Sequence, residues 1–367
     1  MREPIRENAY ETTAEPDRVD AFRLHNLDGI RAVAVLAVFV SHIPLSGRLA
    51  EFRGERGVIW FFALSGFLVT TLALREEDRT GRIDVKAFYV RRAFRILPLY
   101  VVALAVIVAA DLTIFRSTGS VAGWRTYWPF YLTMTQDVPF LLRWDNVRFA
   151  HAWSLGIEEK FYLAWPAIAF TAWSRRWRVH LALLLALGIA LASVGAPASG
   201  VSRLVRPYLP IILGAVMALI LRRDAIRNRA AQAPAGILSV LCLLVLLPMP
   251  AVFSGLLGMH IAEALLAAIT VALLGIRRPF AGLSNPVLEW VGRRSYAIYL
   301  FHPPILGLTS RIAVRVAEFG TIGRVVVIAA PALIATMLAA EVLHRTVEQP
   351  LVEIGRRAAG RKPAPLQ

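Results

Sequence analysis

The sequence predicts an all-α, polytopic integral membrane protein with about ten transmembrane helices and both termini on the cytoplasmic side. Three observations carry that prediction. The chain of 367 residues is 57% hydrophobic and 18% charged, far toward the membrane end of protein composition. Its apolar residues gather into runs of about 17–25, the length that crosses a hydrocarbon core. Its arginines concentrate in alternate loops between those runs.

The runs lie at 28–46, 58–74, 96–115, 152–173, 181–196, 207–221, 236–250, 254–275, 295–313 and 324–344. The fifth and seventh are short, and PMP at 248–250 punctuates the seventh and eighth. With the N-terminus inside, the inner loops hold REEDRTGRIDVKAFYVRRAFR (75–95), SRRWR (174–178), RRDAIRNR (222–229) and the pairs at 277–278 and 293–294. Outer segments are sparser: 197–206 has two Arg and no Lys, and 116–150 spreads four Arg over 35 residues. That last segment contains WRTYWPFY, whose amphipathic rings favour the membrane surface. Residues 1–26 read as a polar cytoplasmic segment without a cleavable signal, so the first run is expected to start insertion uncleaved. Residues 27–350 form the transmembrane domain and 351–367 a basic cytoplasmic tail, with no internal repeat between them.

The formal charge of +16 could point to nucleic acid. However, the basic residues come in bursts between apolar runs, with no recurring basic face interleaved with aromatics. Cytoplasmic loops of a membrane protein explain the same charge, and nucleic acid is not an expected partner. Cys242 is the lone cysteine, which excludes an intrachain disulfide and a thiolate metal cluster. No metal site is expected.

A charged side chain near mid-bilayer costs about 2.5–3.5 kcal/mol on insertion scales, so each one needs a partner or a purpose. The first run, LDGIRAVAVLAVFVSH, places Asp28 and Arg31 near the inner face and His42 about 20 Å further out. The fourth, beginning WSLGIEEKFYLAWP, runs inward and holds Glu158 and Glu159 within about 10 Å of its outer start. The ninth, GRRSYAIYLFHPP, carries His302 outward. His42, Glu158 and His302 are therefore expected at similar depth in the outer half. A histidine there can serve as a base, and a carboxylate beside it would orient the ring. A structural role competes at His302, because Pro303 and Pro304 leave carbonyls that need a donor. On the inner side, Arg92 and Arg95 share a helix face and could grip phosphates, although basic anchoring to lipid headgroups predicts the same spacing. Ser65 and Gly66, in IWFFALSGFLV, lie near mid-membrane, where a missing side chain permits close approach of a helix or a ligand.

Together these stretches resemble the acyltransferase-3 family of membrane proteins, which O-acylate sugars and other hydroxyl compounds. The matching runs are LDGIRAVAVLAVFVSH, WFFALSGFLVTTL, RRAFRILPLY, HAWSLGIEEKFYLAWP, GRRSYAIYLFHPP and TVEQP, in the family's order over roughly 27–350. One departure is Ala32, where many relatives have Gly. The resemblance implies a ten-helix core and an acyl-CoA donor, with acetyl-CoA the expected form. The acyl group would pass to a carbohydrate or other hydroxyl acceptor near the outer face. It implies that His42 is catalytic, that Arg92 and Arg95 meet the donor beside Ser65 and Gly66, and that Trp153, Tyr162, Tyr299 and His302 support the site. Glu158 is expected as the carboxylate partner of His42, and Asp28 and Arg31 as a pair shaping the inner entrance. The expected location is the cytoplasmic membrane of a bacterium. A transporter or flippase, with the same charges lining a proton or solute path, is the rival reading.

Overall fold

A computed structural model describes residues 26–43, 56–115, 120–144, 149–172, 174–195, 199–234, 237–238, 241, 258–277, 279, 282–313, 323 and 325–360. Cys242, most of the expected seventh run, nearly all of the polar N-terminal segment and the end of the basic tail lie outside them. The described residues are helical and contain no strand.

The helices are α1 (Leu27–Ser41), α2 (Gly57–Thr80), α3 (Val85–Thr113), α4 (Ser120–Leu132) and α5 (Asp137–Leu141). Then come α6 (Trp153–Ala167), α7 (Arg178–Gly195), α8 (Gly200–Val205), α9 (Tyr208–Leu221) and α10 (Asp224–Ala231). After them follow α11 (Gly258–Gly275), α12 (Pro286–Arg293), α13 (Ser295–Ala313), α14 (Ala330–Leu343) and α15 (Gln349–Ala358). Wider π turns extend α6 over Ile168–Ala172, precede α14 at Val325–Ala329 and join it to α15 at His344–Glu348.

Among the described residues, three helices are long and apolar enough to cross a membrane: Gly57–Thr80, Val85–Thr113 and the continuous Val325–Ala358. Their outward faces are apolar too. On α7, Leu184, Leu187 and Leu191 are more than half exposed, and on α3 so is Val101. A water-facing helix turns its polar side out, so these stripes fit lipid contact. The chain is an integral membrane protein on this evidence.

The polar stretch expected as a loop over 75–95 is mostly helical, leaving only 81–84 between α2 and α3. Gly81 closes α2 in the left-handed conformation at φ 76°, and Asp84 caps α3 by accepting the Ala87 N–H at 2.9 Å. Arg91 then pairs with Glu76 at 2.9 Å across the hairpin. Hydropathy located the apolar part of each helix, whereas these caps and the ion pair extend both helices past it.

Helices α2 and α9 meet closely because each offers a glycine. A Cβ on Gly66 would lie 1.8 Å from the Ile211 carbonyl oxygen, and one on Gly214 would lie 2.2 Å from that of Ala63. At the other end of α2, Glu77 accepts both Arg178 guanidinium N–H groups at 2.8 and 3.0 Å, with Arg175 at 3.2 Å and Arg222 at 3.6 Å. Glu77 and Arg178 are buried, so this pair ties α2 to the start of α7.

Candidate active site

The site begins with two prolines. Pro303 and Pro304 lie inside α13 and donate no N–H, which frees the carbonyls of Tyr299 and Leu300 four residues before them. Nδ1 of His302 lies 2.9 Å from the Tyr299 oxygen and 3.0 Å from that of Ile298. Nε2 of His151, from the turn before α6, lies 3.2 Å from the Leu300 oxygen. Each freed carbonyl thus meets a histidine, and each contact fixes which ring nitrogen carries the proton.

For His302 the proton is on Nδ1, which leaves Nε2 as an acceptor. Nδ1 of His42, at the end of α1, lies 3.4 Å from it and 2.9 Å from the Val38 oxygen. Both neighbours accept, so Nδ1 of His42 is the donor and its Nε2 keeps a lone pair. The two rings meet edge to face with centroids 4.8 Å apart, and His42 is exposed. That lone pair sits on an accessible ring whose orientation α1 and α13 both hold. The geometry suits a general base.

Below the histidines, Tyr299 donates to the His151 oxygen and lies 2.7 Å from Ser154 Oγ. Next comes a cavity of about 100 Å³. Arg31, Ser65, Arg92, Arg95, Glu158, Tyr162 and Tyr299 all line it, with Glu159 and Tyr296. The Tyr162 hydroxyl lies 2.8 Å from both Glu158 Oε2 and Ser65 Oγ, and the Arg92 guanidinium rests 4.4 Å over the Tyr162 ring. Arg31 pairs with Asp28 at 3.0 Å. Among the described residues no carboxylate pairs with Arg92 or Arg95 within ion-pair distance, so two cationic forks face the cavity.

Glu158 is not the partner of His42. The order along α13 against α6 is His302 by His151, Tyr299 by Ser154, and Tyr296 in the cavity with Glu158. Seven residues separate the level of His151 from that of Glu158, about 10 Å of helix. Counting residues gave depth to within a few turns, and one turn decides contact. Glu158 shares a cavity with Arg31 instead, and His302 takes the place beside His42.

Two more expected residues stand elsewhere. Gly66 faces α9, where its missing side chain admits a helix and not a ligand. Trp153 turns away from the cavity, stacking on Phe140 with centroids 5.0 Å apart and lining a second cavity with Arg206 and Glu263. His151 was missed as a site residue. Two consecutive prolines free two carbonyls, and the demand for a second donor is the signal that pointed to it. Glu348, of the terminal TVEQP run, was also given no role. It is buried, 2.8 Å from Nδ1 of His344 in the π turn.

The family model described as acyltransferase domain matches residues 24–341. Over 365 residues the chain is 28% identical to the peptidoglycan O-acetyltransferase OatA of Listeria monocytogenes, an overlap covering 90% of this chain and 56% of that protein. It is also 28% identical, over 374 residues, to the O-acetyltransferase OatA of Staphylococcus aureus, covering 91% of this chain and 58% of the relative. The chain therefore spans less than two thirds of the length of these relatives. No solved structure matches it significantly.

Proposed function

The chain belongs to the acyltransferase-3 family, and from that premise we propose that it is a membrane-bound O-acetyltransferase. The donor is acetyl-CoA from the cytoplasm. The acceptor is a carbohydrate hydroxyl at the outer face, and the peptidoglycan named for the Listeria relative makes cell-wall glycan the first acceptor to try. The bundle crosses the bacterial cytoplasmic membrane about ten times, with both ends inside.

In this reading Arg92 and Arg95 hold the donor's phosphates by charge-assisted hydrogen bonds, with Arg31 nearby. The thin pantetheine arm follows Ser65, Tyr162 and Tyr299 toward the histidines. Nε2 of His42 takes the acceptor hydroxyl's proton as that oxygen attacks the thioester carbonyl. The C–S bond breaks, the new C–O ester bond forms, and the imidazolium returns the proton to the departing thiolate. Tyr162, held between Glu158 and Ser65, keeps the cavity wall polar where the arm passes.

The observation that carries the reading is the placement of His42, whose Nδ1 lies 2.9 Å from the Val38 oxygen and 3.4 Å from His302 Nε2. Its Nδ1–H is committed to Val38 and His302, and its Nε2 lone pair is left on an exposed ring. The cavity lined by Arg92 and Arg95 also holds Tyr299, which donates to the oxygen of His151, the neighbour of His302. The test is transfer of labelled acetyl from acetyl-CoA to cell-wall glycan by the full chain in proteoliposomes, read as alkali-labile ester. Ester formation that needs the chain and is lost in His42→Ala supports the reading. Ester formation unaffected by His42→Ala in folded protein would overturn the assignment of the base.

A further inference from the structure

Arg31 and His42 share one face of α1, about 16 Å of helix apart, and Val35 and Val38 lie on that face between them. Arg31 lines the cavity that holds Arg92 and Arg95, and His42 meets His302 beyond it. On α13, Tyr299 is the outermost residue of the cavity wall, and His302 follows one turn further out. On α2, Ser65, Phe61 and Val58 line the cavity in outward order, and Gly57 comes next. A Cβ on Gly57 would lie 2.9 Å from Val38 Cγ2, so α1 and α2 touch beyond Phe61. A group carried from the cavity to His42 therefore crosses the level of Phe61.

The side chains at that level are held in different ways. The Tyr299 hydroxyl is fixed, donating to the His151 oxygen and lying 2.7 Å from Ser154 Oγ. Val35 and Val38 are buried, and branching at Cβ makes them stiff. Phe61 is half-buried and has no polar atom to anchor it, and its ring centroid lies 6.4 Å from that of Tyr299. We propose that Phe61 is the residue that sets the length of the acyl group transferred, letting acetyl past Tyr299 and holding back longer chains. The inference rests on the acyl-transfer reading of the same site. Acetyl ends in a single methyl. Butyryl adds two methylenes, which need the space that the Phe61 ring fills, because the tyrosine and the valines opposite cannot give way. Fit or misfit of one methylene in an apolar pocket changes a rate about 10–200-fold, enough to choose between donors.

The test is transfer by the full chain in proteoliposomes from acetyl-CoA and from butyryl-CoA, read as the ratio of kcat/KM values. Coenzyme A binding is measured beside it. The parent should favour acetyl at least tenfold. Phe61→Ala should raise the butyryl-to-acetyl ratio at least tenfold. Phe61→Leu, a smaller cut that keeps more of the packing, should raise it by less, and both variants should bind coenzyme A as the parent does. Phe62→Ala removes the same ring one residue along, on the side packed against Trp153, and should leave the ratio unchanged. An unmoved ratio in folded Phe61→Ala and Phe61→Leu would overturn the proposal. So would an equal shift in Phe62→Ala, which would mean a loosened bundle and no selecting residue. Either result leaves the reaction standing. A parent that binds coenzyme A and transfers neither group would overturn the reaction, and the role of Phe61 with it.

Discussion

At the residue scale, a backbone defect organises the site. Two prolines remove two helical hydrogen bonds, and the carbonyls so released orient His302 and His151. His302 passes that orientation to His42 through its one free nitrogen. If His42 is the base, His42→Ala should lower the rate about 10²–10⁴-fold with little change in donor binding. His302→Ala should cost less, because Val38 still accepts from Nδ1 of His42. The double variant should be no slower than His42→Ala alone, since a base and the group positioning it act as one unit. Additive losses, measured in the same transfer assay, would separate the two histidines. The lower cavity has its own test. Arg92→Lys keeps a charge and loses the planar fork, so coenzyme A binding by titration should weaken severalfold if the fork grips phosphate. An arginine that only anchors lipid headgroups would leave that affinity unchanged.

At the element scale, the packing of α2 matters more than its hydropathy. On one side, 61 and 65 line the cavity below Tyr299, and on another, glycines 66 and 214 let α9 approach to backbone contact. Gly66→Ala must push those helices apart, because its Cβ would meet a carbonyl oxygen and not a yielding side chain. Overpacking of this kind costs about 1–3 kcal/mol, and a lowered melting temperature in detergent is the expected outcome. Because Gly66 does not face the cavity, coenzyme A affinity of the protein that remains folded should be unchanged. Glu77→Gln is a second test of the element. It leaves the buried Arg178 without its counter-charge, and breaking such a pair costs about 3–5 kcal/mol. A variant as stable as the parent would show that the α2–α7 tie contributes nothing.

At the scale of the whole molecule, the exposed leucines of α7 and the arginine-rich ends are two parts of one placement in a bilayer. The proposed orientation puts the 75–95 hairpin and α15 inside and Trp144 outside. In a Cys242→Ala background, a cysteine at exposed position 144 should react with an impermeant thiol reagent added to intact cells. One at 357 should react only after the membrane is opened. The inner packing is tested in the same background: cysteines at 42 and 302 should crosslink with a short reagent, and cysteines at 42 and 158 should not. Crosslinking of the second pair would restore Glu158 as the partner of His42.

The helical class was legible in the sequence, as was the position of several described apolar segments, because a bilayer constrains every residue of a span in the same local way. The edges of the 295–313 run coincide with α13 for that reason. Arg31, Ser65, Arg92, Arg95 and Glu158 stand out in the sequence as polar groups in apolar runs, the family resemblance adds Tyr162 and Tyr299, and the fold gathers all seven around one cavity. Tertiary structure alone decided which polar group meets which. Residue counting measures depth along one helix, but contact also depends on rotation and on the offset between helices, and a single turn of about 5.4 Å moves a side chain from touching to remote. About two turns of α6 separate Glu158 from the level of the histidines, and His302 stands beside His42 instead.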